Sequence, residues 1–381
     1  MIEAFINGAA ALTAGMQHLF TDWRSPLMVV IGFVLLWLAI KKECEPLLLI
    51  PIGFGCILVN LPLSEVMTDE GFLKTLYNAG IETELFPLLI FLGIGAMTDF
   101  GPLLSRPSLL LLGAAGQFGI FLTLLLALGL GFEKLEAVAI AVIGACDGPT
   151  AIYVTSQYAP HLLAAVSVAA YSYMALVPII QPPIMRALTT QKERETTMSY
   201  VAKPVSQKTK ILFPLVITVF AGIIAPKGLP LVGAIMLGNF MKETGMVARL
   251  TKASENEITN VVTLFLGLAI GATMSGPLFL QWTTIVILIL GFIAICLDTV
   301  CGVLFGKLMR VATKGKINPL IGAAGISAFP IAARVVQREG QKYNKRNFLL
   351  MHAMGANAGG QIGSVIAAAV MLSVLAGMGI I

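Results

Sequence analysis

Long stretches without a single charge decide what this chain can fold into. Residues 107–132 contain no Asp, Glu, Lys or Arg, and neither do residues 282–297. A helix needs ~20 mostly apolar residues to cross the hydrocarbon of a bilayer, so such runs read as membrane helices. Composition agrees: the chain is 57% hydrophobic and 12% charged, with a mean hydropathy of +0.89, far from a soluble domain. The expected fold class is an all-α polytopic membrane protein. A net charge of +5 does not point to nucleic acid, because Lys and Arg sit mostly in short connections between apolar runs. Cys44, Cys56, Cys146, Cys296 and Cys301 have no metal-ligand or disulfide spacing, and His18, His161 and His352 are scattered. Residues 1–22 place Phe5, Leu12, Met16, Leu19 and Phe20 at roughly helical spacing, which predicts an amphipathic interfacial helix.

Within that frame Asp147 stands out. It is the only charge in residues 137–157, AVAIAVIGACDGPTAIYVTSQ. A carboxylate at membrane depth costs at least ~2.5 kcal/mol, which makes it a functional-site candidate by default. Gly144, Gly148 and Pro149 break the helix beside it and free backbone carbonyls, as a Na⁺ or proton site requires. The plain alternative is an Asp that only caps a helix fragment.

The chain also repeats itself, weakly, at an offset of about 178 residues. PIGFGCILVN ending at Asn60 pairs with PLVGAIMLGN ending at Asn239. FLGIGAMTDFGPLL from Phe91 pairs with FLGLAIGATMSGPLF from Phe265. IGACDGPTAIYV from Ile143 pairs with IGAAGISAFPIAARV from Ile321, and AYSYMALVPIIQPP from Ala170 with LMHAMGANAGGQIG from Leu350. The last pairing sets Gln181 over Gln361. Charge orients the halves, since cytoplasmic connections are rich in Lys and Arg. Residues 186–210 hold six basic and two acidic residues, residues 307–316 four and none, and residues 334–346 five and one. Residues 63–84 hold five acids and one Lys, and belong outside. These assignments agree if each half crosses five times, while residues 138–157 and 319–333 enter and return. The prediction is an inverted repeat of two five-crossing halves, with two re-entrant or broken helical segments meeting near the midplane. The first membrane repeat is residues 23–186, the cytoplasmic linker 187–210, and the second repeat 211–381.

Only the first half supplies a carboxylate, since Asp147 aligns with Gly325. The second supplies neutral oxygens from Asn318, Ser327 and Asn357, with Gly322, Gly325 and Gly355 exposing backbone. One carboxylate among neutral oxygens suits a hard monovalent cation, so Na⁺ is the expected ion and H⁺ stays open. Tyr173, one span downstream, is a candidate ion ligand or proton relay, with packing as the equal alternative. Arg334 is a candidate partner for Asp147 or an anionic ligand, although a positive-inside anchor is the simpler reading. Asp298, Gln117, Asn60 and Asn239 read as interhelical polar contacts.

The segments GACDGPTAIYVTSQ, AAYSYMALVPIIQPPIM, NPLIGAAGISAFPIAARV and GANAGGQIGS resemble the membrane β-subunit of the sodium-pumping, biotin-dependent decarboxylases. That family includes the oxaloacetate, methylmalonyl-CoA, glutaconyl-CoA and malonate enzymes, and the resemblance runs from residue 23 onward. It implies that Asp147 and Tyr173 handle Na⁺ and protons, and that Asn318, Gly322, Ser327, Arg334 and Asn357 belong to the same site. It implies a translocase subunit that decarboxylates carboxybiotin held by a carrier subunit, consumes a proton and exports Na⁺. The implied partners are that carrier, a carboxyltransferase α-subunit, a small membrane γ/δ-subunit and further copies of the chain, in the bacterial cytoplasmic membrane. No Lys lies in a Met-Lys-Met setting, so no covalent biotin is expected on this chain. The short amino terminus leans toward the CoA-thioester branch. From the residues alone, a stand-alone secondary Na⁺/H⁺ antiporter or Na⁺-coupled anion transporter fits equally, whereas a non-transporting scaffold leaves Asp147 without a role.

Overall fold

A computed structural model describes residues 22–41, 46–198 and 204–380. The expected amphipathic helix at residues 1–22 lies outside the described residues, apart from Asp22. Every regular element among the described residues is helical. The helices of ten residues or more are α1 (Arg24–Lys41), α2 (Pro46–Asn60), α3 (Leu85–Met97), α4 (Phe118–Gly129), α5 (Gly148–Tyr158), α6 (Leu163–Leu188), α7 (Gln207–Ile224), α8 (Leu229–Thr244), α9 (Thr259–Ala272), α10 (Trp282–Ala312), α11 (Ile331–Tyr343) and α12 (Leu350–Gly377). Among the described residues six stretches are long and apolar enough to span a membrane: α1, α6 with the turn before it, α7, α10, α12 and Leu109–Gly129, which ends in α4. Phe72–Glu82 and α3, bent by 61°, make a seventh if taken as one span. The chain is an all-helical, multi-pass membrane protein.

Two groups of helices divide the work. α2 packs on α1 and α9, while α8 packs on α3 and α7. This outer group shows bilayer-facing side chains such as Phe33, Trp37, Val219, Phe220 and Ile223. In lipid an apolar surface carries no hydrophobic penalty, so its helices are held by close packing and polar contacts. Asn60 of α2 donates to Met274 O at 2.8 Å and accepts from Gly276 N at 2.9 Å, satisfying backbone freed where α9 ends. Asn239 of α8 donates to Thr98 O at 3.0 Å, at the end of α3. The two paired asparagines thus serve each other's half.

The inner group comprises α4, α6, α10 and α12 around two interrupted segments. The first runs from Lys134 through a 3₁₀ turn at Val142–Ala145 into α5. Its two ends lie together: Glu136, near its start, meets His161, just past α5, at 2.8 Å. The second runs from Asn318 through a 3₁₀ stretch at Pro319–Gly325 into α11. Its ends also lie together, on the linker. Asn318 donates to Arg194 O and Thr196 O at 3.0 and 2.9 Å, and Arg194 stacks on Tyr343 at 4.4 Å. The two interruptions touch where Ser327 N donates to Ala145 O at 3.2 Å.

Backbone proximity at the second interruption leaves no room for a side chain. A Cβ on Gly322 falls 1.9 Å from Gly302 O, and one on Gly302 falls 2.3 Å from Gly322 O. Both obstacles are main chain and cannot rotate away. Gly322→Ala is therefore expected to destabilise the protein by about 1–3 kcal/mol through overpacking. Thermal unfolding in detergent measures this, and Gly233→Ala, with nothing within 4 Å, serves as the control.

Near the C-terminal end of α11, Glu339 is 1% exposed and binds Arg186 at 2.6 Å and Lys342 at 3.0 Å. Burial works against its charge, but these two cations outweigh it and hold its pKa below the ordinary glutamate value. A depressed carboxyl pKa stabilises fully above the unfolded value of about 4.3, and that stabilisation is lost as pH falls through the lower folded value. Lowering pH from about 6 to about 3 should therefore reduce the melting temperature of the native chain more than that of Glu339→Gln.

Candidate functional site

The first interruption is built to present one carboxylate. Cys146 adopts φ 52°, ψ 39°, a left-handed conformation uncommon for a residue with a Cβ, and turns the chain sharply before α5. Asp147 follows in extended conformation, with Gly148 and Pro149 opening the helix. Glycine is required at 148 because a Cβ there would lie 2.1 Å from the Tyr171 ring. Asp147 is 3% exposed, and its Oδ2 accepts from Thr150 Oγ1 at 2.7 Å, Gln361 Nε2 at 3.1 Å and Ser364 Oγ at 3.4 Å. No cation pairs with it among the described residues.

This carboxylate lines a cavity of about 530 Å³ between the inner and outer groups. α2, α3 and α9 supply a mostly apolar wall with Leu48, Ile90 and Ile94, beside the hydroxyl of Thr263. The inner wall carries Cys146, Asp147, Tyr171, Ser327 and Gln361, and the rim carries Arg334, Leu350 and Met351. Of the residues singled out by sequence, the structure brings Asp147, Gly148, Pro149, Ser327 and Arg334 onto one cavity. Ser327 donates to Gly360 O at 2.9 Å and keeps lone pairs for a ligand. Asn357 sits behind it, fully buried; its amide donates to Ile326 O at 2.6 Å, while its Oδ1 has no hydrogen-bond partner. Gly325 is pressed against Leu112 O, and Gly144 against Ala294 and Asp298.

Two expected members lie elsewhere. Tyr173 donates to Leu288 O at 2.6 Å and its ring packs by Gly291 and Ile143, on the far side of the first interruption. Asn318 is committed to the linker carbonyls described above, and its Oδ1 accepts from Leu320 N at 3.0 Å. Asp298 makes a packing contact of the kind anticipated, accepting from Gly119 N at 2.5 Å. Gln117 likewise bonds across helices to Gly325 O at 2.9 Å.

Thr150, Gln361, Ser364 and Tyr171 were not singled out by sequence. One signal was present for Gln361, its alignment over Gln181. The two amides exchange roles across the halves: Gln181 donates to Ala323 O at 2.7 Å in the second interruption, Gln361 to Asp147 beside the first. No group of three or more His, Cys, Asp or Glu side chains is placed to hold a metal ion among the described residues. What the inner wall of the cavity offers is one buried carboxylate among neutral oxygens, while an exposed one, Asp99, also lines the cavity; the buried set suits a hard monovalent cation or a proton.

Comparison with known proteins agrees with this chemistry. The sequence model of the family described as Na⁺-transporting oxaloacetate decarboxylase beta subunit matches residues 24–375. The chain is 51% identical to the methylmalonyl-CoA decarboxylase subunit beta of Veillonella parvula, over 98% of this chain and 99% of that one. It is 48% identical to the glutaconyl-CoA decarboxylase subunit beta of Acidaminococcus fermentans, over 99% and 100%. It is 46% identical to the probable oxaloacetate decarboxylase beta chain of Vibrio cholerae, over 95% and 98%. With near-complete coverage on both sides, the chain belongs to the family of Na⁺-transporting decarboxylase beta subunits.

Proposed function

We propose that this chain is the membrane subunit of a primary Na⁺ pump that decarboxylates carboxybiotin presented by a carrier subunit. The observation that carries the reading is Asp147, buried and without a cationic partner among the described residues, at the point where the two interruptions meet beside a cavity. In the reaction the bond between the ureido nitrogen and the carboxyl carbon breaks, CO₂ leaves, and the nitrogen takes a proton. Arg334 at the rim receives the carboxylate of the incoming carboxybiotin. The apolar wall of α2, α3 and α9 keeps water sparse, which favours loss of CO₂ from an anion whose charge is poorly solvated. Asp147 holds Na⁺ or the proton, with Ser327 and the free Oδ1 of Asn357 as neutral ligands. Tyr173 bears on the same step by bracing the first interruption through Gly291 and Ile143, and Asn318 by fixing the start of the second.

We read the architecture as two inverted halves. Adding the shorter α2, α3, α8 and α9 to the long spans gives five crossings on each side of the linker. The reciprocal Asn60/Asn239 and Gln181/Gln361 contacts support the duplication, and the closed ends of each interrupted segment support re-entry from opposite faces. Residues 23–186, 187–210 and 211–381 are then the first half, cytoplasmic linker and second half. Motion of the inner group against the outer one would expose Asp147 to either side, as an elevator or rocking step.

The partners in this reading are the biotin carrier, a carboxyltransferase α-subunit, a small membrane γ/δ-subunit and further copies of the chain, in the bacterial cytoplasmic membrane. The acid decarboxylated is chosen by the carboxyltransferase, and the identities of 51% and 48% favour the CoA-thioester branch. A stand-alone secondary transporter is not favoured, because full-length relatives are decarboxylase subunits. The deciding experiment purifies the chain from its native membrane, probes for a biotinylated partner with avidin, and measures ²²Na⁺ uptake driven by carboxybiotin in liposomes. Uptake without carboxybiotin and no biotinylated partner would leave the transporter reading standing instead.

A further inference from the structure

The exposed side of α11 carries a row of cations that starts at the cavity rim. Arg334, Arg338 and Lys342 recur every four residues and share one side of the helix, and Lys345 and Arg346 extend the row beyond its end. All five are exposed. The other side of α11 is buried through Ala332, Ala333, Val335, Val336, Glu339 and Gly340. Lys342 pairs with Glu339, whereas Arg334, Arg338, Lys345 and Arg346 form no ion pair among the described residues. From Arg334 to Lys342 the row covers roughly 12 Å of helix.

Anionic lipid headgroups are the usual partner for cations at the end of a membrane helix. α11 does not suit that use. A helix seated in the headgroup region presents large apolar side chains beside its cations. No large exposed apolar residue lies between 331 and 347; the first one met is Phe348, 67% exposed, where α12 begins. The polar side of α11 is exposed and free of large apolar side chains, as suits a surface that faces water.

We propose that this row is the docking surface for the biotin carrier, and that the carrier meets it with acidic side chains around its biotinyl-lysine. Docked there, the lysine arm enters the cavity past Arg334 and brings the carboxylated ring toward Asp147. The proposal rests on the carboxybiotin reading above. A carrier that shuttles between two subunits must arrive fast and leave again. Exposed complementary charges meet both demands, because they raise association rates by steering while each rim pair adds little affinity.

The test compares native chain with Arg338→Glu, Lys345→Glu and the double variant, reconstituted in zwitterionic liposomes. Decarboxylation is followed with two substrates, the carboxylated carrier domain and free carboxybiotin, and binding of the biotinylated carrier is measured separately. The double variant should raise KM for the carrier about tenfold at low salt, by a margin that shrinks as salt is added. With free carboxybiotin its KM and kcat should match the native chain. An unchanged KM for the carrier would overturn the proposal, and so would equal slowing with free carboxybiotin, which would place these charges in the chemistry. A defect seen only in anionic liposomes would make the row a headgroup site. A native chain that binds carrier but decarboxylates neither substrate would overturn the functional reading and leave the surface intact, provided the double variant loses that binding.

Discussion

Replacing Asp147 with asparagine is expected to abolish both Na⁺ transport and Na⁺-stimulated decarboxylation. The amide keeps the shape of the carboxyl group and can still accept from Thr150 and Ser364, so the fold and the assembly should survive. What is lost is the only buried negative charge on the cavity, the one placed to compensate a dehydrated cation. Removing one partner of a buried ion pair costs about 3–5 kcal/mol, a fall in cation affinity of roughly a hundredfold to several thousandfold. Asp147→Glu should retain partial function at most, because the added methylene moves the carboxylate within a site already packed against Tyr171. The measurement is ²²Na⁺ uptake into proteoliposomes beside the Na⁺ dependence of CO₂ release. Wild-type pumping by Asp147→Asn would move the site elsewhere, and Asp298, the other fully buried aspartate, would be the next to test.

The parts of this fold that were legible in the sequence are those decided by free energies of transfer. Charge-free runs at 107–132 and 282–297 had to become membrane helices, and Asp147 had to be somewhere special because nothing else offsets it. The two asparagines that end matching sequence blocks do make polar contacts between helices, yet the sequence did not reveal their partners. Asn60 and Asn239 were visible as interhelical contacts, but only packing shows that each closes a helix end in the other half. Helices α3, α8 and α9, of 13, 16 and 14 residues, are shorter than a standard span, and hydropathy cannot say whether such a piece crosses. Tyrosine shows the same limit at a finer scale. Tyr171 and Tyr173 lie two positions apart on α6, about 200° around the helix, so one lines the cavity and the other packs against α10. Gln361 was hidden because a lone amide in a membrane helix reads first as packing glue. Asn318 was read as an ion ligand, yet its amide is engaged by linker carbonyls at Arg194 and Thr196, contacts set by a loop that no periodicity predicts.

A second large effect is expected from the half of the chain that places no carboxylate on the cavity. Ser327 and Asn357 belong to the second half, and the backbone bond from Ser327 N to Ala145 O ties their segment to the turn that presents Asp147. If the cation sits between the two interruptions, each of these side chains contributes a neutral oxygen, and neither sets the charge of the site. Ser327→Ala and Asn357→Ala should each raise the Na⁺ concentration for half-maximal activity by roughly tenfold to a hundredfold, the loss of about 1–3 kcal/mol. Both should recover near-native rates at saturating Na⁺, which Asp147→Asn cannot do. Asn357→Ala also frees Ile326 O, so its effect should exceed that of Ser327→Ala, where Gly360 O loses only a shared contact in a helix. Thr123→Ala, a buried hydroxyl on α4 away from the cavity, should leave the Na⁺ dependence unchanged and serves as the control. Unaltered Na⁺ curves in both test variants would mean that Ser327 and Asn357 do not hold the ion, and that its ligands lie instead with Gln361 and Ser364, which bond to Asp147.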